Sequence, residues 1–397
     1  MNRRIDTYLQ QLVDEDRFAF YRSIADFADG EIGPNILSWE REGVLVPDSM
    51  IRQMGELGLF GIPIDEEYGG HDGGITELVL MGLAVGYHSQ SLAITPGAAV
   101  SLGSNPVQKF GSDAQKQAHL PDLAAGKRMF VFGLSEPGRG SDAANPEVVA
   151  ERSGNGWKIR GEKCWSTNAA WASHVVVHAL TNPEAPNGKR STCFVVPMDD
   201  PNLHYQEMAG KVVWKQSSTG SISFDGVEVG EEHVLGEVDG GFKIMVNTLN
   251  GGRMFIAGLA LASLASALDT TCKYTQERVQ FDGQPIARFQ RVQDVVLEMD
   301  ISLERNLTWL LHLTQQYDNG ASVREQAAKV KIDSSRAASQ HLLEAMEICG
   351  GVACLDEFGL ARHHNDLFVT RVGEGSNRAL KTFAVRPLLK ECADILQ

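Results

Sequence analysis

Glu374 has the sequence context that is most suggestive of chemistry in this chain. It lies between Gly373 and Gly375, just before a segment in which Ser376 or Asn377 can cap a helix. Because flanking glycines leave a carboxylate sterically unobstructed, such a group can be aimed at a bound substrate as a base. A glutamate at a helix start can also stabilise the helix dipole, which is the commoner role for an arbitrary residue. The local pattern leaves both roles open.

Two further polar motifs are weaker. Gly138–Ser141 is rich in glycine, but it lacks the third glycine and the strand–helix context of a dinucleotide-binding fingerprint. His363, His364 and Asp366 are possible metal ligands, but adjacent histidines point to different sides of a helix, which favours solvated or hydrogen-bonded roles. Neither a phosphate-binding GxxxxGKS/T loop nor a GxSxG nucleophile motif occurs. We therefore predict no metal site, and these motifs alone identify no reaction.

The elements that must position these residues fall into three zones. Residues 1–126 have helical patterns, with Ser112 and Gln115 at capping-box spacing. Residues 127–238 carry short valine-rich runs and period-two alternation, punctuated by turns such as Gly154–Gly156, which predicts a small antiparallel β domain. Residues 239–397 return to long helices, at about 241–278, 289–318, 323–349 and 376–393, which predicts a four-helix bundle. The expected class is α+β, not a doubly wound nucleotide fold.

The composition excludes several kinds of partner. The 397 residues include 36 basic and 51 acidic side chains, a formal net charge of −15, which argues against nucleic acid or an anionic membrane as the main partner. The six cysteines form no CxxC pair and the N-terminal segment does not resemble a signal peptide, so we expect a reduced, cytoplasmic protein. The longest apolar run, residues 254–268, is shorter than the roughly 20 residues of a membrane span. We therefore predict that it forms a buried bundle helix.

Two segments resemble the paired flavin-binding signatures of the acyl-CoA dehydrogenase family, namely Phe132–Asp142 (FGLSEPGRGSD) and Gly161–Asn168 (GEKCWSTN). Other segments resemble further family motifs and occur in the family's order, at 58–70, 110–126, 224–241, 278–290, 350–351 and 374–376. The resemblance extends over roughly residues 10–390. It implies an N-terminal all-α domain over 1–126, a middle antiparallel β-barrel domain over 127–238 and a C-terminal four-helix bundle over 239–397.

The resemblance implies FAD as the cofactor. Trp165 offers a flat apolar surface for the isoalloxazine ring, and Thr167 offers a hydroxyl for the ring edge. Gly140 and Ser141 suit a loop that approaches the pyrophosphate, and Arg278 is a fixed cation suited to a phosphate. The implied cofactor contacts are Phe132, Leu134, Ser135, Gly140, Ser141, Trp165, Ser166, Thr167, Arg278, Gln280, Phe281, Phe289, Gln290, Glu347, Gly350, Gly351, Ser376 and Arg378.

The resemblance also implies a reaction, the FAD-dependent α,β-dehydrogenation of an acyl thioester. In this reaction Glu374 removes the α proton while a hydride passes from the β carbon to the flavin N5. Some relatives place the base on the first bundle helix, but the matching stretch here, Asn250–Arg253, holds no acid. A dry site raises the pKa of a glutamate and makes it a stronger base. The positions that match thioester- or pantetheine-side residues are Ser141, Asn250, Arg253, Gly375 and Arg386.

Several positions depart from the family's pattern. Gly373 replaces a larger, commonly aromatic residue, while Glu347 and Arg378 replace glutamines and could form a new ion pair. Pro96–Val100 matches a region that can line the acyl tail. Its small residues could admit a bulky acyl group or could equally serve close helix packing. These departures suggest a specialised enzyme and leave the acyl group open.

The implied partners are an acyl-CoA substrate and an electron-transfer flavoprotein as electron acceptor. The alternative is the same chemistry on a carrier-protein thioester, because both substrates present a phosphopantetheine arm. A flavin monooxygenase is disfavoured by Glu374, and a non-catalytic subunit is disfavoured by the presence of Trp165, Arg278 and Glu374 together. Because segment 278–290 resembles a motif that reaches a neighbouring subunit's cofactor, we expect a dimer or a dimer of dimers.

Overall fold

The computed structural model describes residues 3–395, which begin with a helical region. Its first four helices are α1 (Arg4–Leu12), α2 (Glu15–Phe27), α3 (Ile36–Glu42) and α4 (Asp48–Glu56). The next four are α5 (Ile75–Gly86), α6 (Gln90–Ala98), α7 (Asn105–Phe110) and α8 (Asp113–Ala124). Ser112 and Gln115 form the predicted capping box, in which each side chain bonds the other's backbone amide. Every residue of α6 is buried, so this helix lies inside the molecule.

The middle region is an eight-stranded sheet. Its strands are β1 (Met129–Gly133), β2 (Val149–Ser153), β3 (Gly156–Thr167), β4 (Ala172–Leu180), β5 (Ser191–Pro197), β6 (Leu203–Glu207), β7 (Thr219–Gly230) and β8 (Val234–Leu235). The hydrogen-bonded order is β6-β7-β3-β2-β4-β5-β8, and β1 pairs with β4. The predicted turn at 154–156 joins β2 to β3 as an antiparallel hairpin.

The prediction of a wholly antiparallel β-barrel domain was wrong in one respect, because the sheet is mixed. Strand β4 runs parallel to both β1 and β2. Parallel neighbours need a long connection, and the segment between β1 and β4 provides one by passing through β2 and β3. Periodicity identifies strands but does not determine which strands pair over such a distance.

Up to residue 395, the C-terminal region contains five α-helices. They are α9 (Gly241–Glu277), α10 (Gln290–Asp318), α11 (Arg324–Cys349), α12 (Leu360–Val372) and α13 (Asn377–Ile395). A short hairpin of β9 (Val279–Gln280) and β10 (Gln284–Pro285) separates α9 from α10. The four predicted helices are present, but α12 was not predicted. Its buried face includes His363, Asp366 and Thr370, so the apolar period that marks a helix is incomplete.

Helix α9 forms the centre of this bundle. It is long and apolar enough to cross a membrane by length and composition, but 78% of its most apolar window is buried inside the protein. It packs against α5, α10 and α11, so the apolar run at 254–268 belongs to the core, as predicted. Helix α9 also supplies one wall beside the loop that carries Glu374.

Candidate active site

Glu374 lies in the short loop between α12 and α13. Its φ angle is +52°, in the left-handed region, and the following Gly375 has φ +89°. A glutamate in that conformation costs about 1–3 kcal/mol, and it persists only where the surroundings enforce it. The left-handed turn is therefore an imposed feature, of a kind that concentrates at functional sites.

Gly252 of α9 makes room for the carboxylate of Glu374. A Cβ atom built on Gly252 would lie 2.6 Å from the carboxyl carbon and 2.7 Å from Oε1. No side chain fits there without displacing the glutamate. The sequence pattern drew attention to this stretch only for its missing acid, and the role of Gly252 was not predicted. The available signal was a Gly-Gly pair inside a long helix, where glycine normally weakens the structure.

The carboxyl group of Glu374 is enclosed by protein and incompletely bonded. Its Oε2 atom is buried and has no hydrogen-bond partner among the residues that the structure describes. Burial raises the pKa of Glu374 to about 7, while the positive charges of Arg253 and Lys331 act in the opposite direction. A carboxylate with these properties can accept a proton near neutral pH.

Two cations, the half-buried Arg253 and the buried Lys331, bond to the backbone of this loop. Arg253 donates from Nε to the carbonyl of Glu374 over 3.3 Å and from Nη1 to Oδ1 of Asn250 over 3.1 Å. Lys331 donates from Nζ to the carbonyl of Gly375 over 2.9 Å. Arg253 and Asn250 were predicted on the substrate side, and Lys331 was not predicted. The available signal was a lysine among small and apolar residues of α11.

A second cluster brings the two flavin-signature segments together. The amide of Cys164 donates to the carbonyl of Ser135 over 2.8 Å. Lys163 reaches from the same strand to the carbonyl of Leu134 at 3.0 Å, and its Nζ forms a buried ion pair with Glu136 at 2.6 Å. Strand β3 is thereby fixed to the segment that follows β1.

The residues of this cluster fit a flavin. Trp165 has φ +60° and remains 65% exposed, although tryptophan is on average a highly buried residue. The hydroxyl of the adjacent Ser166 is buried without a partner within the described residues. Gly140 faces open space, since no atom lies within 4 Å of the position that its Cβ would take. An exposed ring, an unpaired hydroxyl and an open glycine loop are suited to a planar, polar-edged cofactor with a phosphate group.

Among the remaining predicted cofactor residues, Ser376 lies in the loop of Glu374, where its Oγ accepts from the amide of Ala379. The residues of the segment 278–290 lie apart from both clusters. Arg278 begins the segment after α9, 25 residues beyond Arg253, which is roughly 37 Å along the helix axis. Phe281 in the same segment is 79% exposed, with φ +55°. The rest of this group comprises Gln280, Phe289 and Gln290, which are exposed or half-buried. Within one chain the segment contacts neither Glu374 nor the signature cluster through any hydrogen bond or ion pair of the described residues.

The last group lies at the far end of α11 and on α13. Glu347 is 16 residues from Lys331, roughly 24 Å along α11, and Gly350 and Gly351 follow it with open space around them. Arg378 and Arg386 are exposed on α13. Over the part of the chain that the structure describes, Glu347 and Arg378 form no ion pair, so the pairing considered from the sequence is absent.

The segment Pro96–Val100 is completely buried. A Cβ on Gly97 would lie 2.2 Å from the ring of Phe255, and a Cβ on Gly82 would lie 2.6 Å from it. The glycine at 97 therefore accommodates Phe255, and close helix packing accounts for it. Similarly, His363 is buried and its Nδ1 lies 3.0 Å from Oγ of Ser263, so this histidine has the hydrogen-bonded role that was favoured.

Three domain models of one protein family match consecutive parts of the chain. The acyl-CoA dehydrogenase N-terminal, middle and C-terminal domains match residues 14–127, 131–227 and 239–389. The probable acyl-CoA dehydrogenase YngJ of Bacillus subtilis is 36% identical over 367 residues, which cover 92% of this chain and 96% of the relative. The chain belongs to the acyl-CoA dehydrogenase family. Its cofactor is accordingly FAD, and its class of activity is the dehydrogenation of an acyl-CoA.

Solved structures of the acyl-CoA dehydrogenase family support the same fold. Butyryl-CoA dehydrogenase of Megasphaera elsdenii has a TM-score of 0.91 and 29% identity, with 95% of this chain and 99% of that chain covered. A chain from a study of the electron transferring flavoprotein of Acidaminococcus fermentans has a TM-score of 0.91 and 29% identity, covering 95% and 98%. A glutaryl-CoA dehydrogenase of Mycobacterium smegmatis was solved with FADH2, at a TM-score of 0.90, 26% identity and 95% coverage of each chain. The carrier-protein alternative is not favoured by these relatives.

Proposed function

We propose that Glu374 is the base that removes the α proton of an acyl-CoA thioester. The observation that carries this proposal is the enclosed carboxylate on a left-handed turn, with Oε2 unpartnered and a pKa raised to about 7 by burial. Bound FAD supplies the acceptor for the hydride that leaves the β carbon. The protein's own task is to orient the thioester, to exclude water and to hold the carboxylate ready for the proton.

The backbone of the same loop can stabilise the substrate's oxygen. The α proton of a thioester is weakly acidic, so negative charge that develops on the thioester oxygen must find donors. The amide N–H of Glu374 has no acceptor within the described residues. It is therefore a free donor beside the base. A positioned backbone amide in a dry site contributes a large part of such stabilisation.

A glutamine substitution tests the role of Glu374. E374Q preserves the shape of the side chain and removes its basicity, so we expect a folded, yellow protein whose dehydrogenase activity falls about 10²–10⁴-fold. The measurements are the flavin spectrum of the purified protein and anaerobic bleaching by a panel of acyl-CoA thioesters. Full activity in E374Q would overturn the assignment. Bleaching by acyl-carrier thioesters but not by acyl-CoA would instead contradict the substrate.

The remaining predicted contacts are part of this proposal. Around the flavin we assign Phe132, Leu134, Ser135, Gly140, Ser141, Trp165, Ser166, Thr167 and Ser376 of one chain. For the segment 278–290 and for Glu347, Gly350, Gly351 and Arg378 we propose contact with the cofactor's distal end. On the substrate side we propose Ser141, Asn250, Arg253, Gly375 and Arg386. Of these, Arg253 donates to the carbonyl of Glu374 and to Oδ1 of Asn250. Arg386 is exposed and lies roughly 14 Å along α13 from the start of that helix.

We propose a short acyl chain as the substrate. Relatives with similar coverage are named short-chain specific acyl-CoA dehydrogenases, and one solved relative is a butyryl-CoA dehydrogenase. The ring of Phe255 fills the space that Gly82 and Gly97 leave between α5 and α6, so these glycines do not open a cavity for a bulky acyl group. The same panel of thioesters, ordered by chain length, tests this proposal.

The assembly and the electron acceptor complete the proposal. Exposure of Phe281 and the distance of Arg278 from the base support a role for this segment in a neighbouring subunit, and hence a dimer or a dimer of dimers. Light scattering that shows a monomer with full flavin content would contradict it. We propose an electron-transfer flavoprotein as acceptor and a cytoplasmic location. We also propose domain boundaries at 126/127 and 238/239, where the element type changes.

A further inference from the structure

Lys331 is a fully buried lysine that forms no ion pair with a carboxylate of the described residues. It lies on α11 with none of its surface exposed. Its Nζ donates to the carbonyl of Gly375 over 2.9 Å and to Oδ1 of Asn377 over 3.0 Å, and both acceptors are neutral. Within the described residues, no carboxylate lies within 4 Å of Nζ. Burying a lysine in this way is costly, so the position calls for an explanation.

The two acceptors of Lys331 lie on the C-terminal side of the turn that presents Glu374. Gly375 is the second left-handed residue of that turn, and Asn377 is the first residue of α13. Asn377 is itself fixed, because its Nδ2 donates to Oγ of Ser335 over 2.9 Å. Ser335 follows Lys331 by four residues, so both lie on one face of α11. One face of α11 therefore bonds to the C-terminal side of the loop that carries Glu374.

A different element holds the other side of the turn. Arg253 of α9 donates to the carbonyl of Glu374 itself. The two successive carbonyls of the strained turn, at 374 and 375, are thus each bonded to a cation from a separate helix, half-buried in Arg253 and buried in Lys331. Glu374 cannot relax to an ordinary backbone conformation without breaking these bonds.

We propose that Lys331 is a positioning residue, whose bonds to Gly375 and Asn377 hold the left-handed turn that aims the carboxylate of Glu374 at the substrate. The inference rests on the proposed role of Glu374 as the base. Lys331 does not touch the reacting atoms. It acts through the backbone, and a small displacement of a reacting group costs on the order of 10²-fold in rate.

The charge of Lys331 has a second consequence for the base. The charged groups that face Lys331 are Glu374, Arg253 and Arg371. Burial lowers the pKa of Lys331 to about 7, and the carboxylate of Glu374 acts in the opposite direction. A cation near Glu374 favours its charged form, so removal of Lys331 shifts the rise of activity with pH to higher pH.

K331M is the main test, because methionine has similar length and no donors. We expect kcat to fall about 10- to 100-fold with KM within about threefold and with unchanged flavin content. Hydrogen exchange of the peptide that contains residues 373–377 should accelerate selectively. K329M is the matched control, since Lys329 lies two residues away, is 42% exposed and pairs with Glu325 over 4.0 Å. It should leave kcat, KM and exchange unchanged.

N377A keeps the proposal testable if K331M does not fold. It removes one of the two acceptors, and we expect a fall in kcat of about three- to tenfold with faster exchange in the same peptide. Unchanged kcat, pH profile and exchange in K331M, or in N377A where K331M does not fold, would overturn the proposal. Failure of the base assignment is distinguishable, because E374Q would then be active while the exchange result for K331M would still stand.

Discussion

Two fully buried lysines are satisfied in different ways in this molecule. Lys163 in the β domain forms an ion pair with Glu136 at 2.6 Å, and Glu136 also accepts from the amides of Glu147 and Val148. Lys331 in the helical bundle bonds instead to a backbone carbonyl and an amide oxygen. Burial lowers the pKa of both lysines. Glu136 counteracts the shift of Lys163 through a direct hydrogen bond and its charge, whereas Glu374 counteracts that of Lys331 through its charge alone.

The ion pair of Lys163 stabilises the fold, whereas the arrangement at Lys331 leaves the nearby carboxylate of Glu374 able to accept a proton. In the β domain the buried charge of Lys163 is matched by Glu136, and this pair joins the two flavin-signature segments. Beside the base, the positive charges of Arg253 and Lys331 bond to backbone, and the carboxylate of Glu374 retains an unpaired oxygen. A direct ion pair at Glu374 would lower its pKa and occupy the oxygen that must receive a proton.

The largest expected effect comes from breaking the matched pair. E136A leaves Lys163 buried without its partner, and removal of one partner of a buried pair costs about 3–5 kcal/mol. We expect this loss in the free energy of unfolding, measured by denaturant titration, together with loss of FAD.

The control for E136A is E228A. Lys158 and Glu228 form an ion pair at 3.1 Å in which Glu228 is 65% exposed. Exposed pairs contribute about 0–1 kcal/mol, so E228A should change stability little. Equal effects of the two variants would contradict the distinction between the matched buried pair and the surface.

G252A perturbs the surroundings of Glu374 without altering a charge. Its new Cβ would meet the carboxyl group of Glu374, so we expect kcat to fall about 10- to 100-fold. Alanine is a better helix former than glycine by about 0.5–1 kcal/mol, so α9 itself should not be weakened. Thermal unfolding and steady-state kinetics measure the two effects. A variant with unchanged kcat would show that the carboxylate does not need this space.

The smallest expected effect comes from making Lys331 resemble Lys163. N377D places a carboxylate where Lys331 now has an amide oxygen, which raises the pKa of the lysine. The added negative charge also raises the pKa of Glu374, so the rise of kcat with pH should move upward by about one unit or less. A pH profile of kcat measures the shift. Movement to lower pH would contradict the electrostatic comparison.

Most of the architecture could be predicted from sequence because its signals are local. The capping box at Ser112, the hairpin at 154–156 and the four long bundle helices depend on residues that are close in the chain. Helix α12 was overlooked because its buried face is partly polar, and the parallel pairing of β4 was overlooked because it joins strands that are distant in sequence.

The sequence by itself determined the family, the cofactor and the identity of the candidate base, because motifs preserve residue types in a fixed order. Only the tertiary structure decided how Glu374 is held. The space at Gly252, the bonds from Arg253 and Lys331 and the unpartnered Oε2 arise where α9, α11 and the loop before α13 meet. These elements are separated by many residues in the chain, so their distances and the burial that raises the pKa of Glu374 exist only after packing.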